Sequence, residues 1–131
     1  MIMATVRVPY PFASRLCAAV FGTLTVVLLL QPGLIFWLFA LVPSNAAQVL
    51  AARAAMLFAG LAMMMALIAP HPPSATRCAV SISICVALLG LAIMGSATWA
   101  RGTVGPGIWS AIPAELGMAW LLWRAESGAL R

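Results

Sequence analysis

The sequence predicts an all-α integral membrane protein, a bundle of four transmembrane helices with both termini in the cytoplasm. Two observations carry this prediction. Of the 131 residues, 65% are hydrophobic and only 7% are charged, which leaves too little polar surface for a soluble domain of this length. The apolar residues also fall into four runs whose lengths are close to the ~20 residues that cross the hydrocarbon core of a bilayer.

The first transmembrane helix is expected over residues 11–30, before the helix stop Gln31-Pro32-Gly33. Its basic start and apolar centre also resemble a signal peptide. No small-residue cleavage site follows, so we expect an uncleaved helix. Residues 34–42 form a shorter apolar stretch that cannot span a bilayer. We expect this segment to lie at the membrane interface, with Trp37 at the level of the headgroups.

The other three helices are expected over residues 46–69, 78–100 and 108–124, which completes a single transmembrane domain. Segments rich in proline and glycine separate them at residues 70–74 and 101–107. The run over 78–100 is free of charge and proline. The last run is the shortest, and it contains Pro113 and Glu115.

The arginine residues predict the orientation. All seven basic residues are arginine. With both termini inside, five of them lie on the cytoplasmic side, and only Arg53 and Arg101 lie outside, as the positive-inside rule favours. We therefore expect a multi-pass protein of a bacterial inner membrane. Because the arginines are scattered singly at the ends of apolar runs, they do not predict nucleic-acid binding. The expected partner is the lipid bilayer, with a membrane-protein partner or a homo-oligomer in addition.

Rows of small residues predict the packing faces, since helices in lipid associate where small side chains allow close approach. One expected face on the third helix consists of Ser83, Ala87, Gly90, Met94 and Ala97. On the second helix, two neighbouring faces are candidates: Arg53, Leu57, Gly60, Met64 and Leu67, or Ala51, Ala55 and Ala59. On the fourth helix, Glu115 shares a face with Ile108, Ala111, Met118 and Leu122.

Three charged residues are the candidate site. Glu115 is one of two acidic residues, and a carboxylate at membrane depth requires a partner, a proton or a helix end. The topology places Arg53, Arg101 and Glu115 in the outer half of the membrane. One interpretation is a structural ion pair that holds helices together. Another is a polar pocket that binds a small ligand or relays a proton. A third starts the last helix near Ile112, with Pro113 at its first position and Glu115 in its first turn.

The chain shows no pattern for catalysis or for a cofactor. No nucleophile elbow, phosphate loop or zinc-protease motif is present. The three cysteines lack the spacing of a metal or redox site, and a single histidine, His71, cannot build one. The methionines are expected to fill apolar space. We therefore expect no enzyme activity, no metal and no cofactor.

Three short motifs resemble a family of small four-helix bacterial inner-membrane proteins, a domain of unknown function. They are Ala52-Arg53-Ala54-Ala55 at the start of the second helix, Ala100-Arg101-Gly102 at the end of the third, and Ala114-Glu115-Leu116 in the last. The short last run with its proline departs from the family pattern. The resemblance implies the fold and the location of the chain and brings no activity.

Two functional hypotheses follow from the sequence. The first is a structural or accessory component of a membrane complex, because small-residue helix faces occur without a catalytic set. The alternative is a small transporter or ligand-binding protein that uses Arg53, Arg101 and Glu115 as a polar site on the outer side.

Overall fold

The structure, a computed structural model, describes residues 8–129 and is helical throughout its regular elements. It contains five helices: α1 (Tyr10–Leu30), α2 (Pro32–Leu38), α3 (Asn45–Ile68), α4 (Ala75–Ala100) and α5 (Ile108–Ala129). Within the described residues there is no strand, and the all-α prediction is confirmed. Three helices, α1, α3 and α4, are long and apolar enough to cross a membrane.

Serine residues fix the starts of the two longest helices. Ser44 precedes α3, and its hydroxyl accepts a hydrogen bond from the backbone N–H of Ala47 at 3.1 Å. Ser74 does the same for α4, accepting from the N–H of Arg77 at 3.2 Å. Each serine satisfies one backbone donor that the first turn of a helix leaves without a partner.

The ends of α2 and α4 share one backbone geometry, the Schellman motif. After α4, Gly102 has a φ of 69°, and the N–H groups of Gly102 and Thr103 donate to the carbonyls of Trp99 and Thr98. After α2, the equivalent left-handed position is held by Ala40, whose φ is 52°. A side chain at such a position costs free energy that glycine does not. The backbone at the end of α4 is therefore relaxed, and the backbone at the end of α2 is strained.

The four long helices run alternately up and down the bundle. α1 packs along α3, α4 packs along α5, and α1 also meets α5. We call one end of the bundle the Arg77 end: there the Tyr10 hydroxyl lies 3.1 Å from the Ser81 hydroxyl. The opposite end, the α2 end, holds α2 and the loop between α4 and α5, where the N–H of Gly105 donates to the Phe39 carbonyl at 2.6 Å.

The hydrophobic core is continuous in one half of the bundle and divided in the other. Toward the Arg77 end, a single cluster joins α1, α3, α4 and α5, with Met65, Ile84, Leu88 and Leu122 nearly or fully buried in it. Toward the α2 end, there are two clusters. Leu28, Phe36, Ala51 and Ala55 join α1, α2 and α3, while Ala92, Ile108 and Ile112 join α4 and α5.

The packing faces differ in part from those expected. On α3, the row of Ala51 and Ala55 is buried, whereas the alternative row with Arg53 and Leu57 is exposed. On α4, the expected face around Ala87 and Gly90 is exposed. The buried face of α4 instead combines small residues with larger ones: Arg77, Ser81, Ile84, Cys85, Leu88, Ala92 and Gly95. The small residues Ser83, Ala87 and Gly90 of the expected α4 face therefore remain on the outer surface of the chain.

α5 buries the face that the sequence predicts. It begins earlier than the interpretation that puts Pro113 at its first position and Glu115 in its first turn. Ile108, Met118 and Leu122 are buried. The helix starts at Ile108, so that Pro113 lies inside it, and a start near Ile112 is wrong. Five residues of helix precede Pro113. Glu115 is therefore more than one turn from the first residue, beyond the reach of a first-turn dipole effect.

The two helix ends give a paired prediction. Gly102→Ala places a side chain at a φ of 69° and should lower the free energy of unfolding by about 1 kcal/mol. Ala40→Gly relieves the same strain at the end of α2 and should not destabilise the protein. Equilibrium unfolding in mixed detergent micelles measures both. Equal destabilisation by the two variants would contradict this account of the helix ends.

Candidate functional site

A buried ion pair between α4 and α5 is the most polar part of the protein interior. Arg77 and Glu126 are 3% and 5% exposed. The guanidinium donates from Nε to Glu126 Oε2 at 3.2 Å and from Nη2 to Oε1 at 3.3 Å. Its third nitrogen, Nη1, donates to the His71 carbonyl at 3.1 Å. Each guanidinium nitrogen thus has an acceptor, as a buried charge requires.

Tyr10 and Ser81 complete this network and bring α1 into it. The Arg77 guanidinium carbon lies 4.1 Å from the centre of the Tyr10 ring, a cation–π contact. The Ser81 hydroxyl lies 3.0 Å from the Arg77 carbonyl and 3.5 Å from Glu126 Oε2. Since those two oxygens are acceptors, the Ser81 proton points to them, and the Tyr10 hydroxyl donates to Ser81. We call Tyr10, Arg77, Ser81 and Glu126 the polar clamp.

The antiparallel arrangement of α4 and α5 favours the two charges. Arg77 lies in the first turn of α4, where the helix dipole disfavours a cation, and Glu126 lies in the last turn of α5, where it disfavours an anion. Each charge, however, lies beside the opposite end of the neighbouring helix. There the arginine is close to the carbonyl end of α5 and the glutamate to the amide end of α4. Pairing across the two helices turns two unfavourable positions into favourable ones.

A second polar contact at the same end ties α1 to α3. The buried Ser14 hydroxyl donates to the Met65 carbonyl at 2.5 Å. Together with the polar clamp, it connects the beginning of α1 to the end of α3, the start of α4 and the end of α5. The buried polar groups at this end therefore join all four long helices.

The predicted site residues lie outside the polar clamp, toward the α2 end of the bundle. Arg53 and Arg101 are exposed, and Glu115 is half-buried. Among the described residues, no hydrogen bond or ion pair joins Arg53, Arg101 and Glu115. Arg101 caps the end of α4 at the α2 end. The structure places the three residues in the same half of the bundle, and their role as a ligand-binding or ion-pair cluster stays a prediction.

Glu115 is nevertheless unusual. Its Oε2 atom is buried and has no hydrogen-bond partner. It belongs to the inward face of α5, three residues after Ile112 and three residues before Met118, both of which are buried. A buried carboxyl oxygen without a partner is costly in a protein interior. Both carboxyl oxygens of Glu126 thus have hydrogen-bond partners, whereas Oε2 of Glu115 has none.

Comparisons with protein-family models, with curated proteins and with solved structures give no match to this chain. The resemblance to a family of small four-helix inner-membrane proteins stays a prediction. Among the described residues, no group of three or more histidine, cysteine or acidic side chains could hold a metal ion.

The predicted topology brings the two charges of the polar clamp to the same end of the bundle, but it does not predict that they are buried. The up-and-down topology puts the start of the third helix and the end of the fourth on one side of the bundle, and these segments carry Arg77 and Glu126. Charges at helix ends are usually hydrated, so nothing in the pattern distinguished this pair from surface charges. Its burial depends on how Tyr10 and the loop around His71 cover it.

Removing one member of the buried pair should be more harmful than removing both. Glu126→Gln leaves the Arg77 charge without a counter-charge and should lower the free energy of unfolding by about 3–5 kcal/mol. The double variant Arg77→Met, Glu126→Leu should recover most of this loss. Unfolding in mixed micelles measures each variant. Arg124→Met is the control, because this nearby arginine is exposed and should change stability by about 0.5 kcal/mol or less. An effect of Glu126→Gln no larger than that of the control would contradict the clamp.

Proposed function

We propose that this protein is a non-enzymatic structural or accessory component of a membrane complex in a bacterial inner membrane. The observation that carries the proposal is the outer face of α4. Its small residues Ser83, Ala87 and Gly90 are exposed, and a Cβ atom added at Gly90 would meet nothing within 4 Å. In lipid, where lipid tails are as apolar as side chains, such a face favours close approach of another helix.

The polar clamp fits a scaffold better than a reaction centre. Both oxygens of Glu126 and all three nitrogens of Arg77 already have partners inside the chain. A catalytic or transporting charge has to be offered to a substrate, whereas these groups are buried and occupied. Their contribution is to hold the ends of α1, α4 and α5 in one geometry, so that the outer faces are presented in a defined arrangement.

We further infer that α5 is a fourth transmembrane helix and that both termini are cytoplasmic. α5 packs along α4 over its length. At one end, a Cβ on Gly95 would lie 3.2 Å from the Ile108 side chain, and at the other end Arg77 pairs with Glu126. α4 is long enough to cross a membrane. Because α5 contacts α4 near both of its ends, α5 spans the same range of depth in the membrane. The arginine distribution supports the orientation. Topology reporters fused after α4 and after α5 should give opposite signals.

The second candidate is a small transporter or ligand-binding protein with a polar site in the outer half. The unpartnered oxygen of Glu115 favours it, because an incompletely satisfied carboxyl group is available for a proton or a cationic ligand. This function would be lost in a Glu115→Gln variant that still folds. A purely structural role would instead appear as lost stability.

The outer face of α4 gives a direct prediction. Gly90→Leu should dissociate the complex in mild detergent without unfolding the chain, because the added side chain projects into open space in the isolated protein. Gly117→Leu is the matched control: Gly117 is also exposed on its helix, with nothing near its Cβ position. Size-exclusion chromatography with light scattering measures the mass of the particle. A wild-type protein that runs as a monomer without any partner would overturn the proposed function.

A further inference from the structure

Four sulfur-containing side chains, one from each long helix, lie together in the core toward the Arg77 end. They are Cys17 of α1, Met65 of α3, Cys85 of α4 and Met118 of α5, and we call them the sulfur cluster. All four belong to the same buried cluster of the core, and their exposed fractions are 1%, 0%, 9% and 7% in that order. No short motif marks them in the sequence, because each comes from a different helix. The fold alone brings them together.

Contacts between the helices place three of these side chains at a similar depth. The Cys85 thiol donates to the Ala119 carbonyl at 3.4 Å, directly beside Met118 in the chain. The thiols of Cys17 and Cys85 are close enough for a charge on one to act on the other. Cys85 therefore connects the sulfur of α1 with that of α5.

Met65 approaches the same depth from α3. Its carbonyl accepts the hydrogen bond from Ser14, and Cys17 follows Ser14 by three residues, about 4.5 Å along α1 toward the α2 end. Side chains on a helix lean toward its N-terminus, and α3 begins at the α2 end. The Met65 side chain thus leans in the direction in which Cys17 lies.

A shallow groove on the outer side of α3 leads to this part of the core. Its lining includes Met63, Met64 and His71. His71 lies at the Arg77 end, where its carbonyl accepts from Arg77. Met64 also packs against the buried cluster that holds the sulfur cluster. The groove thus carries an imidazole and two thioethers from one end of the bundle to the outer layer of the core.

We propose that the sulfur cluster binds a soft monovalent cation of the Cu(I) class, which enters along the groove on α3. Thiolate and thioether ligands select Cu(I), whereas hard cations such as Mg²⁺ and Ca²⁺ take oxygen ligands. The imidazole and thioethers of the groove suit the same ion. This inference goes beyond the proposed function, since a scaffold needs no metal ion.

The charges at the site balance. On binding, the metal ion replaces the proton of one cysteine thiol, the proton is released to solvent, and no electron is transferred. One thiolate and neutral sulfur ligands then leave the site without a net charge, which an apolar core tolerates far better than an isolated cation. Cys17 is the residue that supplies the thiolate, because the Cys85 proton is used in the hydrogen bond to Ala119.

Binding of Ag(I) to the full chain tests the site, because Ag(I) is a soft monovalent cation that does not change oxidation state in air. The purified protein in detergent micelles is titrated against a competing ligand, and the bound silver is measured by elemental mass spectrometry. Cys78→Ser is the matched control, since Cys78 is a half-buried thiol outside the sulfur cluster, and it should leave the affinity unchanged. Cys17→Ser and Cys85→Ser should each weaken binding by at least about tenfold.

Two methionine variants keep the test decisive if a cysteine variant does not fold. Met65→Leu and Met118→Leu each remove a thioether with little change in volume, and each should weaken Ag(I) binding several-fold while the chain stays folded. Met56→Leu is their control, because Met56 is 56% exposed and lies outside the cluster. In the same micelles, Ag(I) should raise the unfolding midpoint of the wild-type protein more than that of Met65→Leu.

Several results would overturn the site. These are Ag(I) binding that Cys17→Ser and Cys85→Ser leave unchanged, binding that Cys78→Ser alone removes, or equal binding by Met65→Leu and Met56→Leu. Silver is counted per chain whatever the size of the particle. Failure of the metal site therefore leaves the proposed membrane-complex function standing, and a monomeric wild-type protein would overturn that function without touching the site.

Discussion

The Arg77–Glu126 ion pair is the interaction on which the architecture of this bundle depends. Lipid offers helices no hydrophobic driving force to associate, so a membrane bundle needs close packing and polar contacts between helices. Here the two charges, 3.2 Å apart and almost fully buried, fix α4 against α5. The Tyr10 ring on the guanidinium adds α1. A buried charge that loses its partner is strongly destabilising, and the requirement to satisfy both selects one antiparallel register.

The buried ion pair constrains only the Arg77 end of the bundle, and the hydrophobic core differs between the two ends. The core is shared by four helices near the polar clamp and separates into two clusters near α2. The divided half contains the strained residue Ala40 and the unpartnered oxygen of Glu115. Among the described residues, this half thus has the less continuous core and the less complete hydrogen bonding.

The sequence predicted the large-scale features because they follow from composition. Apolar runs separated by proline and glycine locate the long helices, and the Arg101-Gly102 turn marks the end of α4. The packing faces were harder to predict. In lipid, small residues such as Gly90 serve contacts within a chain and between chains equally well, so their pattern does not tell which is used. The clamp was missed because burial of a charge at a helix end depends on tertiary contacts. The sequence marks the Glu115 carboxyl group as unusual, and one of its oxygens is buried without a hydrogen-bond partner; its grouping with Arg53 and Arg101 stays a prediction.

The polar clamp holds together the Arg77 end of the bundle. Hydrogen–deuterium exchange of the wild-type protein and the Glu126→Gln variant in the same micelles tests it most directly, since protection by detergent is common to both. Exchange in the variant should be faster at the start of α1, the start of α4 and the end of α5, and unchanged in α2 and at the start of α5. Exchange that is unchanged everywhere, or that increases equally at both ends of the bundle, would contradict it.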